Sequence, residues 1–294
     1  MDIDGVFSGG GIKGLALLGA YKALEEKGFV FKRVAGTSAG AVVAAFIASG
    51  YKSEELINAM GKVDLSDLLD KNSFIFSIPF LRWLKVYWSL GLYKGAVLEK
   101  WVESKLKAKG VYTFADLPPH SLRVIASDLS NGRLLVLPDD LEKYGIAKET
   151  FPVARAIRMS ASMPYFFEPV KLRSLEGVSK IVDGGVLSNF PMWLFENDNI
   201  KKLRPVVGIK LSPNIEERPK KKIDNAINLF EALFHTMKDA HDSRYISRKH
   251  EKNVIFIPTE GVFSTEFSIT EEKKEALIQY GHSLADEFIK TWSY

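Results

Sequence analysis

The sequence predicts an α/β fold with a mainly parallel central sheet and helices on its faces. The first observation is the order of elements at the start. A short strand, Ile3 to Phe7, runs through Ser8-Gly9-Gly10-Gly11-Ile12-Lys13-Gly14 into a helix from Leu15 to Lys27, and a second strand follows around Arg33-Val34-Ala35. Strand, helix and strand in succession fold as a βαβ unit, which sets the two strands parallel. The second observation is that short apolar runs recur between helical stretches, at Leu122 to Ala126, Lys180 to Val182, Pro205 to Leu211 and Val254 to Ile257. The third is size. A chain of 294 residues, 46% hydrophobic and 26% charged, buries a substantial core.

Each element has its own justification. In the first helix Leu15, Leu18 and Ala23 alternate with Lys22, Glu25, Glu26 and Lys27, and Gly28 is a natural stop. Ala39 to Ala48 is a run of small apolar residues suited to a buried helix. Ser53 to Met60 reads as a short helix with Ser53 as N-cap and Glu55 in its first turn. Asn131-Gly132 is the turn of a hairpin joining Leu122 to Ala126 with Arg133 to Leu137. Phe151 to Arg158 is helical, Ser160 to Pro164 is a small-residue loop, and a brief strand at Lys180 to Val182 delivers Asp183-Gly184-Gly185. Pro191 suits the first turn of a helix.

Beyond Pro213 the texture changes. A Lys-rich connector, Arg218 to Lys222, precedes a long helix with Ile223, Ile227, Phe230, Phe234, Met237 and Tyr245 at helical spacing. Glu271 to Trp292 is a closing helix. The expected organisation is one domain over residues 1–294, a motif-bearing core at about 3–211 and a helical extension at 213–294.

Composition excludes several classes. With no cysteine there is no disulfide, thiolate metal site or cysteine nucleophile, which fits a reducing compartment. A dispersed net charge of +4 does not argue for nucleic acid, and it suits an anionic membrane surface weakly. The N-terminus lacks a basic segment followed by an apolar one, so no signal peptide is expected. No window supplies the roughly 18 or more apolar residues of a spanning helix. A cytoplasmic protein, at most peripheral at the membrane, is the expectation.

Gly36-Thr37-Ser38-Ala39-Gly40 fits G-x-S-x-G, a nucleophile elbow in which a strand ends in a sharp turn, a serine sits at the apex and a helix begins. A side chain at Gly36 or Gly40 would collide with the strand or helix being joined. The bland alternative is a glycine-bracketed turn with an idle serine. The first glycine loop also satisfies the dinucleotide fingerprint, Gly9-x-Gly11-x-x-Gly14. That reading needs an acidic residue closing the second strand, which closes instead on Gly36-Thr37-Ser38. A better use for Gly9, Gly10 and Gly11 is as backbone N–H donors to a developing alkoxide.

A serine nucleophile needs a base. None of the five histidines, His120, His235, His241, His250 and His282, follows a strand in a small-residue loop. Asp183 is the better candidate, because it ends a strand and two glycines clear space around it. In a parallel sheet the C-terminal strand ends gather at one edge, where Ser38 and Asp183 would meet. Asp128 is the rival carboxylate, more economically explained by the hairpin turn. The segment Phe74 to Tyr93 is crowded with aromatics. It reads either as core packing or as an apolar flap over a lipid site, with Phe80, Trp83 and Trp88 as interfacial or acyl-binding candidates.

Taken in order, Gly9 to Gly14, Gly36 to Gly40 and Asp183-Gly184-Gly185 resemble the motifs of the patatin-like phospholipase family. Ala126 to Gly132 and Ser160 to Phe166 resemble its strand-and-turn segment and its serine-and-proline loop. The resemblance runs from about Ile3 to Leu211, and leaves Lys71 to Tyr93 and everything beyond Pro213 unmatched. It implies a three-layer α/β/α fold and a lipid acyl hydrolase with a Ser-Asp dyad, using no histidine, metal or cofactor. By position Ser38 is then the nucleophile and Asp183 the base. Gly10 and Gly11 supply the oxyanion hole, with Gly9 or Ala39 as further donors. A lipid or other carboxylic ester is the implied substrate. Two other classes stay open: a nucleotide- or NAD-binding protein, which NAD would stabilise, and a non-catalytic membrane-binding module, which would pellet with lipid without turnover.

Overall fold

The computed structural model describes residues 1–61, 63–70, 85–195, 204–212, 223–224, 229, 232–234, 236–237, 251–258 and 269–293. Strands are β1 (Asp2–Phe7), β2 (Val30–Thr37), β3 (Gly91–Tyr93), β4 (Leu122–Asp128), β5 (Arg133–Leu137), β6 (Tyr165–Phe167), β7 (Val170–Ser174), β8 (Gly177–Asp183), β9 (Val206–Ser212) and β10 (Val254–Pro258). Helices are α1 (Leu15–Glu26), α2 (Ala39–Ala48), α3 (Ser53–Gly61), α4 (Ala96–Lys107), α5 (Val153–Ser160) and α6 (Glu271–Thr291).

The main sheet runs β10-β9-β1-β2-β4-β8-β7, with β5 also paired to β4. Neighbours from β10 to β4 are parallel, and β5, β8 and β7 enter antiparallel. It is a mixed, mostly parallel sheet flanked by helices. Its two faces follow the period of two along each strand. Ile3, Phe7, Val34, Val124, Ala126, Val207 and Ile209 join the larger core, with α1, α2 and α5. Val6, Ala35 and Ile125 join the smaller one, under Phe190, Met192 and Phe195.

α2 is buried along its length, as its small-residue run requires. α1 ends at Glu26, and Gly28 follows at φ 81°. Ser53 is already helical; its N–H donates to Glu25 Oε2 at 2.9 Å, so it does not act as the N-cap. The hairpin at Asn131-Gly132 forms as expected.

One further expectation needs correction. The part beyond 213 is more than a helical extension, because β10 adds to the sheet beside β9. There α6 also packs on α1, so closely that a Cβ on Gly281 would lie 1.9 Å from the carbonyl oxygen of Ala16. Of the long helix expected after Ile223, the described residues 229, 232–234 and 236–237 are helical. Ile223, Leu229, Leu233 and Met237 are exposed, while Phe234 is buried. Ile227, Phe230 and Tyr245 lie outside the described residues.

Candidate active site

β2 ends at Thr37 and α2 begins at Ala39, leaving Ser38 alone between them at φ 54°, ψ −122°. A non-glycine residue in this region carries strain on the order of 1–3 kcal/mol and persists only where its surroundings hold it. The flanking glycines are needed for space. A Cβ on Gly36 would lie 2.3 Å from the carbonyl oxygen of Gly40, and one on Gly40 would lie 2.3 Å from that of Phe7. Ser38's own N–H donates to the hydroxyl oxygen of Ser160 at 2.9 Å, and the Thr37 hydroxyl donates to the carbonyl of Ser188 at 3.0 Å.

Asp183 arrives by a route that differs from the expected one. β8 runs antiparallel to β4, so its end does not join the parallel strand ends by direction. Residues 126–128 of β4 pair with β5 on one edge and β8 on the other, and residues 124–125 pair with β5 and β2 in the same way. β2 and β8 therefore share one edge of β4 and meet end to end. Thr37 pairs with Ile125 and Asp183 with the next residue, Ala126. Gly184 makes the turn possible, since a Cβ there would lie 2.3 Å from the Ile125 carbonyl oxygen. Asp183 is nearly fully buried, its N–H donates to the Ser162 carbonyl at 2.9 Å, and its Oδ1 accepts from Gly185 N–H at 2.7 Å.

Ser38 and Asp183 line one pocket together with Gly10, Gly11, Ala39 and Asn189. The remaining wall is apolar, with Leu69, Leu98, Trp101, Met163, Phe166 and Phe234 prominent. Gly10 and Gly11 open a 3-10 turn, and Ala39 opens α2. The first N–H groups of such turns have no partner within them, and α2 adds its positive end. Gly9 differs from its neighbours: its N–H donates to the Asn189 carbonyl at 3.2 Å, and it does not line the pocket. The expected use of Gly9 as an oxyanion donor is thus displaced by a bond that closes the loop.

Of the interfacial candidates, Phe80 and Trp83 lie outside the described residues, as do Phe74 and Phe76. Trp88 does not line the pocket and is 75% exposed, so it is not core. Tyr93 packs on Phe166 with ring centroids 4.9 Å apart. His120 is on an exposed loop and His282 pairs with Glu26 at 2.8 Å, so neither approaches Ser38; His235, His241 and His250 lie outside the described residues. Asp128 serves the hairpin. Fully buried, it accepts from the N–H groups of Ser130 and Asn131, the Asn131 amide and the Tyr144 hydroxyl. Burial alone would raise its carboxyl pKa, but those donors outweigh burial and hold it below the usual range. Burial and Asp128 push the Tyr144 hydroxyl up to about 12.

Sequence reasoning missed the buried Arg158. Its guanidinium donates to the Ser162 hydroxyl and to the carbonyls of Lys94 and Glu168, tying the loop behind Asp183 to β3 and β6. Burial lowers its pKa to about 10. A basic residue on a helix facing serines carried no signal of these distant partners. Among the described residues no group of three or more His, Cys, Asp or Glu side chains could hold a metal ion. No described helix is long and apolar enough to cross a membrane.

A family model for patatin-like phospholipases matches residues 5–195. The chain is 56% identical to YqhO of Bacillus subtilis (strain 168) over 294 residues, all of both chains. It is 28% identical to the triacylglycerol lipase ptl3 of Schizosaccharomyces pombe over 193 residues, covering 64% of this chain and 38% of that one. Among solved structures, VipD from Legionella pneumophila superposes with a TM-score of 0.58 at 18% identity, over 99% of this chain and 67% of VipD. ExoU from the type III secretion system of Pseudomonas aeruginosa superposes with a TM-score of 0.53 at 18% identity, over 98% of this chain and 52% of ExoU. At these identities the structural likeness concerns the fold alone.

Proposed function

The chain belongs to the patatin-like phospholipase family, and from that premise we propose that it is a lipid acyl hydrolase working through Ser38 and Asp183. The supporting observation is their meeting, end to end along β4, in a pocket whose wall is otherwise apolar. An apolar wall beside a nucleophile suits the acyl chain of an ester, because such surface gains from leaving water.

In this reading Ser38 Oγ attacks the ester carbonyl carbon while the Asp183 carboxylate takes the hydroxyl proton. The N–H groups of Gly10, Gly11 and Ala39 receive the negative charge that develops on the carbonyl oxygen. Collapse of that intermediate expels the alcohol, to which Asp183 returns the proton. Water then attacks the acyl-Ser38 ester, with Asp183 again as base, and the acid leaves. A carboxylate is a weak base in water, with a pKa of about 3.9. Burial and an adjacent hydroxyl make the transfer feasible as the attack proceeds. Residues 1–294 act together as one hydrolase domain on this proposal, with β10 and α6 completing it.

Nothing in the geometry favours the dinucleotide alternative: β2 closes on Ser38, and a Cβ on Gly10 would lie 2.3 Å from Leu211 Cδ1. Labelling with a fluorophosphonate, followed by peptide mapping, tests the proposal. The adduct is expected on Ser38 and absent from Ser38→Ala. An adduct on another serine, or substantial ester turnover by folded Ser38→Ala, would overturn it.

A further inference from the structure

Beside the pocket, backbone chemistry is broken twice in adjacent places. The short helical segment at 85–89 ends at Leu90, which has φ 61° and whose N–H donates to the Val86 carbonyl at 2.9 Å. That is a left-handed helix cap, a position that glycine or asparagine normally takes. Across a separate two-stranded parallel sheet made by β3 and β6, Phe166 N–H closes a turn on the Met163 carbonyl at 3.2 Å, with Pro164 and Tyr165 at its centre. Tyr165 has φ 62°, again where a Pro-led turn usually carries glycine or asparagine. The two strained residues are neighbours, because Gly91, next to Leu90, pairs with Tyr165 in the β3–β6 ladder.

Both residues are apolar or aromatic, and both face outward, Leu90 42% and Tyr165 47% exposed. One turn before Leu90, Tyr87 and Trp88 stand 74% and 75% exposed, their rings edge to face at 5.3 Å. This patch is continuous with the pocket. Lys85 Nζ ties the helical segment to the Leu92 carbonyl in β3, β3 pairs with β6, and Phe166 and Phe167 of β6 line the pocket. Water gives no reason to keep four such side chains outward, two of them, Leu90 and Tyr165, at strained positions. Local strain of this kind gathers at functional surfaces.

We infer that Tyr87, Trp88, Leu90 and Tyr165 form a rim that docks on a lipid surface, so that the mouth of the Ser38 pocket opens against it. The chemistry fits that occupant. Indole and phenol rings favour the boundary between headgroup and acyl chain, and leucine adds apolar depth. The exposed Lys94, at the end of β3, suits an anionic headgroup layer. A second copy of the chain would match the apolar rings but would leave the continuity with an ester-binding pocket without purpose. The inference rests on the lipid-hydrolase reading for its purpose, though the rim can be measured without it.

The test uses the full chain carrying Ser38→Ala, so that turnover cannot alter the lipid, and sedimentation with vesicles of phosphatidylcholine alone or mixed with phosphatidylglycerol. The parent protein is expected to sediment. Tyr87→Ser with Trp88→Ser should weaken vesicle binding by at least about tenfold, as expected for two rings withdrawn from an apolar contact. Leu90→Gly should also weaken binding while its melting temperature holds or rises, since glycine suits the left-handed cap. That pairing is one that a merely destabilised protein cannot show. In the Ser38 background both variants should hydrolyse a soluble short-chain ester at the parent rate. Undiminished vesicle binding by both variants would overturn the rim. So would a parent that ignores vesicles but forms a dimer lost in the same variants. Ester turnover without any vesicle binding would remove the rim and keep the hydrolase; rim-dependent binding without turnover would do the reverse.

Discussion

The backbone N–H of Ser38 donates to the hydroxyl oxygen of Ser160 at 2.9 Å, across 122 residues of sequence. Ser160 is fully buried at the end of α5, and two residues on, the Ser162 carbonyl accepts the N–H of Asp183. One short segment thus grips the backbone of both proposed catalytic residues. Replacing Ser160 by alanine leaves the N–H of the half-buried Ser38 without this acceptor, a loss of up to about 1.5 kcal/mol, the net worth of an ordinary hydrogen bond. The strained elbow then has one restraint fewer. Expected is a fall in kcat of up to roughly tenfold, with KM nearly unchanged because the pocket wall is intact. Slower fluorophosphonate labelling should accompany it. Parent kcat in Ser160→Ala would show that the contact has no positioning role.

Asp183→Asn preserves size and an acceptor for Gly185 N–H but removes the base. Activity on a soluble ester should fall at least about a hundredfold, the lower range for general base catalysis. His120→Gln and His282→Gln should keep parent rates, since neither side chain lines the pocket. A histidine variant as inactive as Ser38→Ala would replace the dyad with a triad.

The elbow was legible in the sequence because its constraint is local. Gly36 and Gly40 are required by atoms only a few residues away or in the strand alongside, so the five-residue pattern carries its own reason. Asp183 was legible as a candidate, but the way it reaches Ser38 was not. Strand direction in β8 depends on its pairing with β4, some 55 residues earlier in the chain, and no local spacing records it. The engagement of Gly9 by Asn189, and of Ser38 by Ser160, are likewise long-range hydrogen bonds between residues of ordinary local character. Helix α4, which brings Leu98 and Trp101 to the pocket, starts after Gly95, which supplies no side-chain cap, so no local start signal marks it behind the aromatic stretch.

Asp128 makes stability depend on acid. Its folded pKa lies below the ordinary carboxylate value, held there by Tyr144 and Asn131 against the opposing effect of burial. A depressed pKa contributes stability that is fully present above the unfolded value, about 3.9. That contribution is lost as pH falls from there through the folded value. Urea unfolding across the acid range should therefore show a shallower pH slope for Asp128→Asn than for the parent. At neutral pH the variant should be less stable by roughly 1.5–3 kcal/mol, the range for hydrogen bonds to a charged group. Parallel pH slopes would mean that Asp128 is not the titrating group.

The last prediction concerns the crossing of α1 and α6. Gly19 and Gly281 let the two backbones touch: a Cβ on Gly19 would lie 1.8 Å from the Ile278 carbonyl oxygen, and one on Gly281 would lie 1.9 Å from that of Ala16. Both obstacles are backbone atoms in helices, so no side-chain rotation relieves them. Further along α6, Lys274 Nζ donates to the carbonyls of Gly61 and Val63 at the end of α3, and Trp292 packs on Phe29 at 5.7 Å. Separating the helices would loosen these contacts as well. Gly281→Ala should therefore destabilise by about 1–3 kcal/mol or more, the usual penalty of overpacking, despite alanine's better helix propensity. Ser283→Ala, at an exposed position in the same helix, is the control and should change little. If residues beyond 213 formed an independent extension, the Gly281 variant would show two melting steps, with ester hydrolysis surviving the first. One lowered transition, with hydrolysis lost along it, is expected if α6 is part of the hydrolase domain. Two separate transitions would overturn the single-domain proposal.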